Sequence, residues 1–191
     1  MRRLRPVLFY LLPLITLLPL ITVLLGACES PDRERPVSQE ETLVFLVRHA
    51  ERADDGAMTG QEDPHLSEAG YQRARLLADV LKDAEVQYVH STDYIRTRET
   101  AQPAANSWGV EARIYDPDNL EAFAATLRAT PGRHLVVGHS DTTPELVLAL
   151  GGVPHGEIES MEYDRLYLVQ GGSAGASTVL LRFGAPSSPS P

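Results

Sequence analysis

The chain has 191 residues, 43% of them hydrophobic, and a formal net charge of −9. That length allows a single domain with a real core. Lys82 is the only lysine and no basic patch exists to hold a polyanion, so no nucleic-acid partner is expected; arginines that bind anions must be placed one by one.

Arg2, Arg3 and Arg5 form a positive start with no acid before Glu29. Val7 to Leu25 is an apolar run broken by Pro13 and Pro19, and Leu25-Gly26-Ala27 puts small residues before Cys28. This ending resembles the lipobox of bacterial lipoproteins. The resemblance implies a signal peptide over 1–27, a lipid on Cys28, and an extracytoplasmic protein anchored by that lipid to a bacterial membrane. Cys28 is the only cysteine, so no internal disulfide competes for it. An uncleaved membrane span is the other reading of the apolar run, but the two prolines and the small-residue ending favour cleavage. Loss of three arginines and no acid leaves a net charge of −12, which argues against electrostatic adhesion to anionic lipid. Residues 28–41 are polar, carry Pro31 and Pro36, and read as a flexible tether. The domain is expected over 42–184, followed by a disordered Pro/Ser tail over 185–191.

Leu43-Val44-Phe45-Leu46-Val47 reads as a buried strand that stops at Arg48-His49-Ala50-Glu51-Arg52. A polar loop follows from Ala53 to His65, whose acids Asp54, Asp55, Glu62 and Asp63 are expected to be solvated. Ser67 caps a helix with an apolar face of Ala69, Leu76, Leu77, Val80 and Leu81. Val86 to Val89 is a short strand. Ser91 or Asp93 caps the next helix, Tyr94 to Trp108, which Gly109 ends and Pro103 kinks or shortens. Arg96 falls in the first turn of that helix, where an anion is favoured, and Arg98 points elsewhere. Glu111 to Tyr115 is a strand, and Asn119 caps a helix from Leu120 to Arg128. His134-Leu135-Val136-Val137-Gly138-His139 is again an apolar run ending in a His. Thr143 and Pro144 open a further helix that Gly151-Gly152 ends. Asp164 to Val169 and Ser177 to Phe183 are two late strands. His65, His90 and His155 carry no chemistry in this reading.

One strand ending in Arg-His is explained by a solvated basic turn; three strand ends carrying Arg-His, Arg and His are not. Ligands of a covered parallel sheet bind beyond the carboxyl ends of its strands. The pieces Arg48-His49-Ala50-Glu51-Arg52, Leu66-Ser67-Glu68-Ala69-Gly70, Ser91 to Thr100 and Gly138-His139-Ser140 stand in the order found in the histidine phosphatase superfamily, which the chain resembles. The resemblance implies a phosphoglycerate mutase-like fold: a three-layer α/β/α sandwich with a mostly parallel central sheet. It implies a phosphatase working through a phosphohistidine on His49, with His139, Arg48 and Arg96 completing the catalytic set and Arg52 binding substrate. The substrate is a phosphorylated small molecule or a phosphoprotein, and no metal or other cofactor is required. Ala50 departs from the Gly usual at that place. Phosphoglycerate mutase-like transfer and a non-catalytic anion-binding lipoprotein are the alternatives. An alkyl phosphate also needs a general acid. The family context for one is missing here; Asp116, held extended by Pro117, is preferred over Asp118, Glu121, Asp141 and Glu51.

Overall fold

The computed structural model describes residues 41–55, 63–171 and 175–186. The expected signal peptide, Cys28, the tether up to residue 40 and the end of the tail lie outside the described residues.

The first strand, β1 (Leu43–Arg48), sets the architecture. Its side chains alternate between two cores, as the two-residue period of a strand requires. Phe45 and Val47 join one apolar cluster; Val44 and Leu46 join the other. After β1 come α1 (Glu68–Val80), β2 (Tyr88–Ser91), α2 (Ile95–Trp108), β3 (Ala112–Ile114), α3 (Leu120–Ala129), β4 (Arg133–Gly138), α4 (Thr142–Ala149), β5 (Arg165–Gln170) and β6 (Ser177–Arg182). Leu77 of α1 and Ala101, Ala104 and Ala105 of α2 fill the first core. Ala124 and Leu127 of α3 with Leu146 and Val147 of α4 fill the second. Each helix pair thus covers one face of the sheet, which gives three layers.

The sheet runs β3-β2-β4-β1-β5-β6. β3, β2, β4 and β1 pair in parallel, and β5 and β6 add an antiparallel edge beside β1. The pairing Arg48↔Gly138 ends β1 and β4 side by side. His49 and His139 therefore leave neighbouring strands at the same edge, and the backbone N–H of His49 donates to Gly138 O at 2.9 Å.

Three local expectations change. The backbone N–H of Ile95 at the start of α2 is capped by neither Ser91 nor Asp93; the carboxylate of Asp63, from the loop before α1, accepts it at 2.9 and 3.0 Å. Asp141, two residues ahead of the expected cap Thr143, holds the start of α4 by accepting from Thr142 N. Pro103 does not shorten α2, which runs through it to Gly109 in the left-handed conformation; burial of Ala101, Ala104 and Ala105 outweighs the one missing helix bond. Ser67 caps α1 as expected, accepting from Gly70 N at 3.1 Å. Gly70 is required there, because a Cβ would lie 2.2 Å from Glu51 O.

Candidate active site

Beyond the carboxyl ends of β1 and β4 the rings of His49 and His139 face each other edge-on, with centroids 5.6 Å apart. His49 is 3% exposed. Its Nδ1 lies 2.8 Å from the carbonyl of Ala50. A carbonyl only accepts, so Nδ1 carries the proton and Nε2 keeps its lone pair. Burial, then the positive charge of Arg48, holds His49 well below the ordinary imidazole range, and it stays neutral at pH 7. Ala50 fits where Gly was expected: its φ is not positive, it is fully buried, and its N–H donates to Thr100 Oγ1 at 2.9 Å.

His139 is held by two partners. Arg96 Nη2 approaches its Nδ1 at 3.4 Å, and its Nε2 lies 2.9 Å from Thr92 Oγ1. Arginine only donates, so Nδ1 accepts and the Nε2 proton points at Thr92. Thr92 passes the direction on to Thr97, whose hydroxyl reaches the carbonyl of Tyr94 at 2.9 Å. Burial and the charge of Arg96 lower His139 to about 4. Gly138 makes the turn into His139 possible: a Cβ there would meet the Tyr115 hydroxyl at 2.8 Å and Thr142 Oγ1 at 2.9 Å.

The three arginines arrive by different routes. Arg48, at the end of β1, is buried; its Nη1 donates to the carbonyls of Glu159 and Glu162 at 2.9 and 3.0 Å. Its guanidinium lies over the ring of Tyr163, 4.2 Å from the centroid. Its Nε has no hydrogen-bond partner among the described residues. Arg96, in the first turn of α2, stacks on Tyr94 at 4.4 Å and pairs with Asp63 at 3.3 Å; its Nε is also buried without a partner. Arg52 is the most open of the three and pairs with Asp54 and Asp55 at 3.3 and 3.0 Å. Two buried guanidinium N–H groups without an acceptor, beside two neutral imidazoles, form a place that favours an anion. Arg98 points away, as expected, and pairs with Asp93 at the surface.

The expected solvation of the loop acids does not hold for Asp54, Asp55 and Asp63. They pair with Arg52 and Arg96, whose charges offset theirs. Of the carboxylates named as possible acids, Asp116, Glu51 and Asp141 are engaged elsewhere. Asp116 is exposed and turns back to accept from Asp118 N at 3.0 Å, where an aspartate after an edge strand closes its own turn. Glu51 grips Arg73 through both oxygens. Asp141 caps α4, and Asp118 and Glu121 are exposed. Thr92, Tyr94 and Tyr163 contact the site residues without having been singled out from the sequence. Thr92 and Tyr94 lie inside the Ser91-to-Thr100 stretch, so position was a usable signal for them. Nothing local marks Tyr163, which reaches the site only through the fold. Among the described residues no group of three or more His, Cys, Asp or Glu is arranged to hold a metal ion.

Residues 44–120 match the pattern of the histidine phosphatase superfamily, branch 1. The chain is 33% identical over 127 residues to the probable phosphoglycerate mutase GpmB of Serratia proteamaculans (strain 568), a match covering 64% of this chain and 59% of that protein. It is 30% identical over 118 residues to the same-named protein of Yersinia pestis (strain Pestoides F), covering 60% of this chain and 54% of that one. The chain thus spans under two-thirds of the length of these curated relatives. Its fold is shared with a mycobacterial glucosyl-3-phosphoglycerate phosphatase, at TM-score 0.59 and 18% identity over 75% of this chain and 99% of that one. It is shared too with the protein histidine phosphatase SixA in complex with tungstate, at TM-score 0.56 and 19% identity over 73% and 94%. The match over residues 44–120 places that part of the chain in the histidine phosphatase superfamily, and the shared fold agrees with it.

Proposed function

We propose that this protein is a phosphatase that hydrolyses an extracytoplasmic phosphate ester or phosphoprotein through a phosphohistidine on His49. The observation that carries the reading is the His49 ring: Nδ1 is tied to Ala50 O, leaving Nε2 as a neutral nucleophile in an arginine-lined crevice. Nε2 attacks phosphorus and the P–O bond to the leaving group breaks. Water then attacks the phosphohistidine, which returns His49 and releases orthophosphate. Arg48, Arg52 and Arg96 balance the negative charge of the transferring group in place of a metal, and His139 seats Arg96 by accepting its Nη2 proton at Nδ1.

Transfer of the mutase kind, suggested by the names of the relatives, is the second reading. A mutase must retain an intermediate bearing two phosphates. A cavity of about 540 Å³ opens at Ser140 and Asp141, directly after His139; its charged lining is Asp141, Glu145 and Glu157, with no Arg or Lys. This neighbouring cavity supplies no cation to hold a second phosphate, and none of His49, His139, Arg48, Arg52 or Arg96 lines it.

The test is release of orthophosphate from p-nitrophenyl phosphate by the purified full chain with a chelator present. Turnover in wild type, an acid-labile phosphoenzyme, and loss of both in a folded His49→Ala variant are the expected results. Near wild-type turnover by that variant removes His49 as the nucleophile. Phosphate binding with no turnover in wild type means an anion-binding lipoprotein instead.

The location rests on the sequence from Arg2 to Cys28 alone. The protein is proposed to be held at a bacterial membrane by a lipid on Cys28. Cys28→Ser is expected to leave the chain unlipidated and released from membranes. Unchanged membrane association with the leader still attached points to a transmembrane anchor.

A further inference from the structure

Tyr163 lies on the irregular stretch before β5, more than a hundred residues from the Arg-His pair, and is 2% exposed. Its ring carries the Arg48 guanidinium at 4.2 Å and leans on the His49 ring with centroids 5.9 Å apart. Its hydroxyl donates to Asp55 Oδ2 at 2.7 Å. The same carboxylate takes the backbone N–H of Arg52 at 2.8 Å and its Nε at 3.0 Å. One side chain therefore touches Arg48 directly and Arg52 through a single carboxylate.

The neighbours of Tyr163 complete the clamp. Arg48 Nη1 is taken by the carbonyls of Glu159 and Glu162, on the same stretch. A guanidinium is planar: with Nη1 fixed to two carbonyls and one face laid on an aromatic ring, the direction of its Nε–H is set. That N–H is the one buried without a partner among the described residues. The stretch is itself anchored, since Glu162 binds Arg165 at 2.7 and 2.9 Å and also holds Arg182. Tyr163 is thus held from both sides in the position from which it orients the arginines.

We propose that Tyr163 is a positioning residue for phosphoryl binding, its ring fixing the plane of Arg48 and its hydroxyl, through Asp55, fixing Arg52. This rests on the phosphatase reading of the site. The two contacts separate by substitution. Tyr163→Phe keeps the ring beneath Arg48 and cuts the link to Asp55. Tyr163→Leu removes both.

The experiment uses the full chain in detergent with p-nitrophenyl phosphate as substrate and orthophosphate as competing ligand. For Tyr163→Phe, KM and the orthophosphate inhibition constant are expected to rise about 5-fold with kcat within about 2-fold, the loss of one hydrogen bond acting on binding. For Tyr163→Leu, kcat is expected to fall a further ~10-fold or more as Arg48 loses its seat. Asp55→Asn should raise KM like Tyr163→Phe, and the double variant should be no worse than either alone. Equal kinetics for the Phe and Leu variants, wild-type kinetics for both, or multiplying KM effects in the double variant overturns the proposal. If Tyr163→Leu does not fold, the Phe and Asn cycle decides alone. If wild type turns nothing over, the phosphatase reading has failed by itself. Calorimetric orthophosphate binding then decides the role of Tyr163: weaker in Tyr163→Phe supports it, and equal affinity overturns it.

Discussion

Arg96 and Arg98 differ by two positions on α2 and by everything in their surroundings. Arg96 is stacked on Tyr94, close to His139, and keeps a buried Nε for an acceptor; Arg98 spends its charge on Asp93 at the surface. Arg96→Ala is expected to raise KM and lower kcat together, at about 3–5 kcal/mol in kcat/KM for loss of a desolvated charge pair. Arg98→Ala should fall within about 0.5 kcal/mol of wild type in both stability and kcat/KM, as exposed pairs do. Steady-state kinetics of the two variants, with melting curves, checks both; an Arg96→Ala protein that is merely less stable, with unaltered KM, removes Arg96 from the phosphate site. This pair was legible in the sequence because helical periodicity turns side chains two apart to different faces. The acid was not. Asp116 follows a strand and precedes a proline, which suggested an extended backbone aimed at the crevice. The side chain instead closes a turn with Asp118, an outcome that depends on one local hydrogen bond rather than on strand order.

Among the elements, α2 is organised from outside itself. Its N-cap residue, Tyr94, offers no side-chain cap, and the carboxylate of Asp63 takes the Ile95 N–H while pairing with Arg96. Loss of this remote cap in Asp63→Ala is expected to cost about 1 kcal/mol, with Asp63→Asn recovering most of it. Asp93→Ala should cost little. Urea unfolding of the three variants checks the order; a larger loss for Asp93→Ala than for Asp63→Ala returns the cap to the local residue. The element types and their sequence were readable from apolar periodicity, but strand ends moved by a residue or two. Tyr88–Ser91 replaces Val86–Val89, for instance, because β2 registers against β4 through Tyr88↔His134. Caps supplied across 32 residues, and the loop acids that fold onto arginines, have no one-dimensional signature. They follow from which loops the sheet topology brings together.

For the whole molecule, the dependence of stability on pH is set in part by a buried imidazole pair away from the catalytic crevice. His134 Nε2 donates to Thr130 O at 2.9 Å, so its Nδ1 accepts from His90 Nε2 at 3.1 Å. Both rings are buried and stacked with their neighbours. Burial, then the neighbouring His134, lowers His90 to about 3; burial lowers His134 as well. A histidine depressed in the folded state is neutral there while the unfolded chain takes up a proton below about 6.5. The stabilisation is complete above that pH and is lost as pH falls toward about 3. For His90 the loss should be on the order of 3 kcal/mol by pH 4. Urea unfolding of wild type from pH 7 to 4 should show stability falling with pH, and His90→Asn should flatten that slope. An unchanged slope in the variant assigns the acid sensitivity to other groups.

The position of β1 in the sheet has a kinetic consequence. It is the first strand of the domain, yet it lies between β4 and β5, with Leu43 opposite both Arg133 and Gln170. Neither edge of β1 can be closed until the chain has been made well past its midpoint. Closing so long a loop delays reward for the entropy lost, and parallel pairing of this range is slow. Until β5 arrives, Val44-Phe45-Leu46-Val47 is an apolar strand with open hydrogen-bonding groups, the kind of segment that pairs with other chains. The Arg-His pair at its end is therefore among the last parts of the site to be fixed. A chain interrupted before Arg165 leaves the proposed nucleophile on a strand with one side unpaired, and so needs protection from aggregation for as long as its synthesis is incomplete.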